Sequence, residues 1–129
     1  MNIILDSNEY PSSPYPEPYS GALVTQEELN EFIKKTIDQN KQPIVIFGAN
    51  WCPDARLLEG VMRLPTVKSF LESNANVINI DVGDYEINTD LFKMFDGNIQ
   101  DGIPRVFIMN KMGQNINLHV NETMRKARE

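Results

Sequence analysis

The stretch Trp51-Cys52-Pro53-Asp54-Ala55-Arg56 lies where an apolar strand is predicted to give way to a helix. The preceding run 44–47 (IVIF) is apolar and mostly β-branched, which is typical of a strand buried on both faces of a sheet. Pro53 suits the first turn of a helix, where no backbone N–H is needed. Cys52 is therefore predicted at a helix N-terminus, where free N–H groups and the helix dipole stabilise the nucleophilic thiolate.

The neighbours of Cys52 act on the thiolate in opposite directions. The carboxylate of Asp54 favours the neutral thiol, and the cationic Arg56 offsets that effect. Trp51 can shield one side of the sulfur and contact a partner molecule. A cysteine needed only for packing has no reason to lie at this junction, so we interpret Cys52 as a functional nucleophile.

Outward from this motif, helical and strand patterns alternate along the chain. A capping box at Thr25 and Glu28 begins a helix that should end near Asn40. The helix after Cys52 must break or restart at Pro65. Further elements are predicted as a strand at 77–82, a short helix at 91–95 that stops at Gly97, strands at 106–109 and 116–120, and a last helix from Asn121. The order predicts an α/β fold with a mixed central sheet and helices on both faces.

The first 21 residues differ from the rest of the chain. Four prolines and three tyrosines alternate within 10–19, a composition that forbids regular helix and suits an extended arm. We expect residues 1–21 to form this arm as a strap on a domain of residues 22–129. A proline-rich ligand for a partner protein is the alternative.

Composition excludes several classes of function. The 129 residues fit one domain, and the net charge of −6 argues against binding nucleic acid through its phosphates. A single cysteine cannot make an internal disulfide, and one cysteine with one histidine cannot make a structural zinc site. No apolar run is long enough to span a membrane. We expect a monomer with no metal and no cofactor. The start of the chain does not look like a signal peptide, so the compartment stays open between the bacterial cytoplasm and, if a signal was removed, the periplasm.

Three segments carry a family resemblance, namely 48–54, 81–91 and Gly102-Ile103-Pro104. The order of strand, Trp-Cys-Pro, helix, then Gly-Ile-Pro before an antiparallel strand pair resembles thioredoxin over residues 22–129. More narrowly, 48–54 (GANWCPD) and 81–91 (DVGDYEINTDL) resemble a bacterial group of thioredoxin-like thiol–disulfide proteins with a Trp-Cys-Pro-Asp-Cys motif.

The resemblance implies roles for individual residues. Cys52 would attack a disulfide, Pro104 would be a cis-proline packed against the site, and the backbone of Ile103 would bind an extended peptide. Trp51, Pro53 and Asp54 would belong to the same substrate-binding surface. The implied partners are protein disulfide substrates or a redox partner protein.

Three positions depart from the family pattern. Ala55 occupies the place of the second, resolving cysteine. Ile46 and Val77 stand where thioredoxin carries a buried acid and its partner lysine. The first half of a thiol–disulfide exchange remains possible, but the internal release of product does not.

The residue at position 55 leaves the function open between two readings. If Ala55 is an engineered replacement, which we favour, the parent protein is a dithiol oxidoreductase. Alternatively, the natural protein is a monothiol or redox-inactive module that binds a partner. A cysteine-protease pair of Cys52 with His119, on the predicted last strand, is disfavoured.

Overall fold

A computed structural model describes residues 9–95, 102–110, 112 and 114. The helices and strands alternate as the sequence predicts. In chain order they are α1 (Gln26–Asp38), β1 (Gln42–Gly48), α2 (Pro53–Met62), α3 (Pro65–Asn74), β2 (Ala75–Asp81), a 3₁₀ helix (Thr89–Met94) and β3 (Arg105–Ile108). The predicted strand 116–120, the helix from Asn121, the stop at Gly97 and His119 lie outside the described residues.

The strands form a mixed sheet in the order β2-β1-β3. β1 runs parallel to β2, with Ile46 opposite Asn79, and antiparallel to β3, with Ile46 opposite Val106. The mixed α/β sheet expected from the sequence is confirmed. Because β1 lies in the centre of these three strands, its carboxyl end is set in the middle of the sheet edge, and this is where the Cys52 segment begins.

Helices cover both faces of the sheet. The Asn76 amide donates to the Thr36 hydroxyl on α1 at 3.1 Å, whereas the Asn79 amide donates to the Glu59 carboxylate on α2 at 3.3 Å. Residues three apart on a strand point to opposite faces. α1 and α2 therefore lie on opposite sides of β2, which confirms the predicted layers.

Aromatic rings fill the core on one face of β1. Phe47 is completely buried and meets the Phe92 ring edge-on at 4.6 Å and the Phe107 ring at 5.8 Å between centroids. Phe95 stacks on Phe107 at 4.8 Å. On the other face, Ile46 is also buried, so β1 is covered on both sides as its composition predicts.

Local signals set most of the helix boundaries. The capping box at Thr25 is present in both directions, with the Glu28 N–H donating to the Thr25 hydroxyl at 3.0 Å. α1 ends at Asp38, slightly before the predicted end, and Asn40 then turns the chain with a φ of 61°. Pro65 starts α3. No helix in the described part of the chain is long and apolar enough to cross a membrane.

Candidate active site

Cys52 caps the N-terminus of α2 at the carboxyl end of the central strand. Its backbone N–H donates to the Ala49 carbonyl at 3.1 Å, and its side chain makes no capping bond to the helix. The side chain is 1% exposed. Its thiol donates to the Ile103 carbonyl at 3.6 Å. The sulfur thus lies at a helix N-terminus, as predicted, but is more deeply buried than an attacking group needs to be.

The loop before β3 closes the site from the other side. Ile103 is buried, and the Ile103–Pro104 peptide bond is cis. This loop is 51 residues away from Cys52 in the sequence, and the antiparallel pairing of β3 with β1 brings the two together. Of the residues expected at the site, Ile103 and Cys52 are therefore in direct contact.

Trp51 presents an exposed ring next to the reactive cysteine. The side chain is 52% exposed, although its indole N–H donates to the Gly83 carbonyl at 2.7 Å. The ring also meets Tyr85 edge-on at 5.9 Å between centroids. These two contacts hold the indole in one orientation while leaving about half of it free for a partner.

The remaining motif residues differ in exposure. Pro53 and Asp54 are exposed at the start of α2. Ala55 is completely buried and belongs to the same apolar cluster as Cys52. A side chain at position 55 therefore lies inside the protein, beside the reactive segment.

The N-terminal segment is bound to both flanks of Cys52, a feature that the sequence did not reveal. The Asn50 amide donates to the Tyr19 carbonyl at 2.7 Å, and the Tyr19 N–H donates back to the Asn50 side-chain oxygen at 3.0 Å. The Arg56 guanidinium donates to the carbonyl oxygens of Tyr15 at 2.8 Å and Pro16 at 3.3 Å. Arg56 thus binds the arm, whereas the sequence had suggested a role opposite Asp54.

Further contacts fix the arm along its length. Glu9 accepts hydrogen bonds from the Thr66 hydroxyl at 2.7 Å and its backbone N–H at 3.3 Å, in the first turn of α3. At the other end, the Gly21 N–H donates to the Asp81 carboxylate at 2.8 Å. The arm, residues 9–21 in the structure, therefore lies as a strap on the helices and the sheet edge. The boundary at residue 21 stays a prediction.

Tyr19 is the arm residue that reaches furthest into the molecule. Its side chain is 6% exposed and packs in the apolar cluster that contains Cys52 and Ala55. Burial, followed by the charges of Glu59, Cys52 and Asp81, raises the pKa of Tyr19 well above its ordinary value. Sequence reasoning missed this residue, because a tyrosine in a proline-rich segment has no spacing that links it to the motif.

No group of three or more histidine, cysteine, aspartate or glutamate side chains in the described ranges could hold an ion.

Comparison with known proteins agrees with this geometry. The thioredoxin family model matches residues 17–125. A disulphide isomerase of solved structure from Xylella fastidiosa Temecula1 is 27% identical, covers 88% of this chain and 86% of its own, and superposes with a TM-score of 0.73. No curated protein matches significantly. These similarities support thiol–disulfide oxidoreductase chemistry at the family level, and the chain belongs to the thioredoxin family.

Proposed function

We propose that this protein carries out thiol–disulfide exchange with protein disulfides through Cys52. The observation that carries the proposal is the position of the sulfur, at the N-terminus of α2 and in contact with the Ile103 carbonyl. The first feature favours the thiolate, and the second places the sulfur beside a backbone that can align an extended peptide.

In the reaction, the Cys52 thiolate attacks one sulfur of a substrate disulfide. The substrate S–S bond breaks, a mixed disulfide with Cys52 forms, and the other substrate sulfur leaves as a thiolate that takes up a proton. The Cys52 sulfur is oxidised to the disulfide level and the departing substrate sulfur is reduced to the thiol level, so the electrons balance without another oxidant. A substrate peptide would lie against Trp51, Pro53 and Asp54 on one side and Ile103 and Pro104 on the other.

Release of the product needs a second thiol. In a dithiol protein, a cysteine at position 55 would attack the mixed disulfide and form an internal disulfide as the substrate leaves reduced. Ala55 has no such group and is completely buried. We propose that this chain stops at the mixed disulfide unless an external thiol frees it, and that Ala55 replaces a cysteine of a dithiol parent.

A second function is favoured by the burial of the sulfur. Cys52 is only 1% exposed, whereas Trp51 is 52% exposed. The surface therefore offers the Trp51 ring for contact with a partner more readily than it offers the Cys52 sulfur for attack on a disulfide. A redox-inactive module would use that surface to hold a partner and would bind it equally well after Cys52→Ser.

The experiment that separates these functions is the capture of a disulfide-bonded protein. Insulin, mixed with the reduced chain without added thiol, should form an adduct that survives non-reducing electrophoresis and disappears with dithiothreitol. Cys52→Ser, which replaces the thiol by a smaller hydroxyl that cannot form a disulfide, is the matched control and should form none. Absence of an adduct with the unaltered chain under excess insulin contradicts the proposed chemistry and favours the binding module.

A further inference from the structure

The arm holds one aromatic side chain beneath the reactive segment. Tyr19 is fixed through its backbone to Asn50, two residues before Cys52, by the pair of hydrogen bonds at 3.0 and 2.7 Å. Its hydroxyl and the adjoining ring carbon lie against Gly48, and a Cβ atom at that position would overlap both. Gly48 is therefore the position where the end of β1 makes room for the Tyr19 ring.

The hydroxyl lies on the face of the sheet where the family pattern has lost its acid. Gly48 and Ile46 are two residues apart on β1 and point to the same face. That face is the one covered by α2, because Ile46 pairs with Asn79 and Asn79 bonds to Glu59 of α2. Tyr19 thus places a polar group on the same face of β1 as Ile46, which stands where the resemblance predicts a buried carboxylate.

Charges around Tyr19 keep its hydroxyl protonated. Glu59 on α2, Asp81 on β2 and the Cys52 sulfur all disfavour a tyrosinate, in addition to burial. Both carboxylates have donors of their own: Arg63 at 3.1 Å for Glu59, and the Gly83 N–H at 2.7 Å for Asp81. Of the other charged groups nearby, Arg56 bonds to the arm and Asp54 is exposed at the start of α2. The phenol is therefore available as a hydrogen-bond donor over the whole pH range in which a thiol titrates.

The buried sulfur needs such a donor when it ionises. As a thiol, Cys52 donates to the Ile103 carbonyl. After ionisation the sulfur can only accept, so this contact becomes one between two acceptors, and a buried charge without donors is costly. The N-terminus of α2 supplies backbone N–H groups, and the Tyr19 hydroxyl is a further neutral donor held in the same cluster.

We propose that Tyr19 is a positioning residue of the thiol–disulfide site, and that its hydroxyl, held against Gly48 by the arm, favours the Cys52 thiolate. This inference rests on the proposed function of Cys52. It makes the N-terminal arm a functional part of the site, and it gives the chain a neutral donor on the face of β1 that carries the acid in the family pattern.

The test is the rate of alkylation of Cys52 by iodoacetamide across a pH series, followed by intact mass. Cys52 is the only cysteine, so the reaction reports on it alone. Tyr19→Phe keeps the ring and removes the hydroxyl. We expect it to move the midpoint of the pH profile upwards and to slow alkylation at pH 7 about two- to tenfold, the range for one lost hydrogen bond. Tyr10→Phe, which alters an arm tyrosine that is 70% exposed, should leave the profile unchanged.

A second measurement uses the chain with Tyr19 in place, so it does not depend on whether Tyr19→Phe folds. With ¹³Cζ-labelled tyrosine, the Tyr19 signal should shift with the same midpoint as the alkylation profile, and this shift should be absent in Cys52→Ser. An unreactive Cys52 in the unaltered chain would count against the proposed function. A reactive Cys52 whose profile is the same in Tyr19→Phe, or whose ionisation leaves the Tyr19 signal unmoved, would overturn this inference alone.

Discussion

Burial and neighbouring charges act strongly on the phenol of Tyr19. Its pKa is raised by burial first, and then by Glu59, Cys52 and Asp81. An unfolded chain releases the tyrosine proton near pH 10, whereas the folded chain keeps it to higher pH. The unfolded state therefore binds fewer protons above that pH, and stability must fall as the pH rises.

Comparison of the unaltered chain with Tyr19→Phe isolates the contribution of the Tyr19 phenol to the pH dependence of stability. The stability that Tyr19 provides is complete below pH 10 and is lost as the pH rises through the raised pKa. Above pH 10 the unaltered chain should lose up to about 1.4 kcal/mol per pH unit more than Tyr19→Phe does. Urea unfolding at a series of alkaline pH values measures the difference, with the exposed Tyr10→Phe as control. Parallel pH dependence in all three chains would show that the phenol of Tyr19 ionises as it does in water.

Single residues were predictable from the sequence where a local rule applied to them. Cys52 at the start of α2 followed from an apolar strand before it and Pro53 after it. That Ile103 lies at the same site followed only from the family resemblance, and its hydrogen bond with the Cys52 thiol was not predicted, since no local rule joins residues 51 positions apart. The contact of Arg56 with the arm could not be foreseen, because the nearby carboxylate of Asp54 is an equally good partner for the guanidinium.

Strand β1 and the arm depend on each other at Gly48. A methyl group there would overlap the Tyr19 hydroxyl, and neither the strand backbone nor the arm, which is bonded to Asn50, can move away freely. Gly48→Ala should therefore lower the free energy of unfolding by about 1–3 kcal/mol, the usual cost of overpacking. It should also disturb the reactivity of Cys52, because the displaced ring packs in the apolar cluster that contains Cys52.

Gly60 on α2 provides the matched control for this substitution. A Cβ there would meet Pro11 at 3.4 Å and Pro16 at 3.6 Å, which is ordinary contact. Because alanine is the better helix former, Gly60→Ala should be neutral or stabilising by up to about 1 kcal/mol. Urea unfolding of both variants checks the pair, and equal stability of Gly48→Ala and Gly60→Ala would contradict the packing of Tyr19 described above.

Elements with strong local signals were predicted well. The capping box of α1 and the restart at Pro65 determine helix ends by themselves, and the β-branched composition of β1 determines a buried strand. The short helix after Asn88 is a 3₁₀ helix over Thr89–Met94, and Asn88 precedes it with a φ of 57° and no capping bond. The position of the arm on the domain could not be predicted, because prolines exclude a helix but do not determine where an extended segment binds.

At the scale of the whole molecule, one sheet assembles the site from three distant segments. β1 delivers Cys52, the loop before β3 delivers Ile103, and the arm delivers Tyr19. The alternation of helices and strands predicted the mixed sheet and the place of Cys52 at the end of β1, because parallel and antiparallel connections follow from connection length. The place of the Ile103 loop at the site followed from the family resemblance. The third segment pairs with none of the three described strands, so topology rules say nothing about it.

The central claim is that Cys52 can open a disulfide and that nothing at Ala55 can complete the exchange. Ala55→Cys tests it, because the new thiol would lie in the buried cluster beside Cys52. Each reduced chain is mixed with insulin without added thiol, and the reaction is quenched at a series of times. Intact mass spectrometry of the quenched samples then measures the amount of adduct directly. We expect the unaltered chain to keep its adduct, and Ala55→Cys to release reduced insulin while forming an internal disulfide. An unaltered chain that forms no adduct, or that releases it at the same rate as Ala55→Cys, would contradict the account.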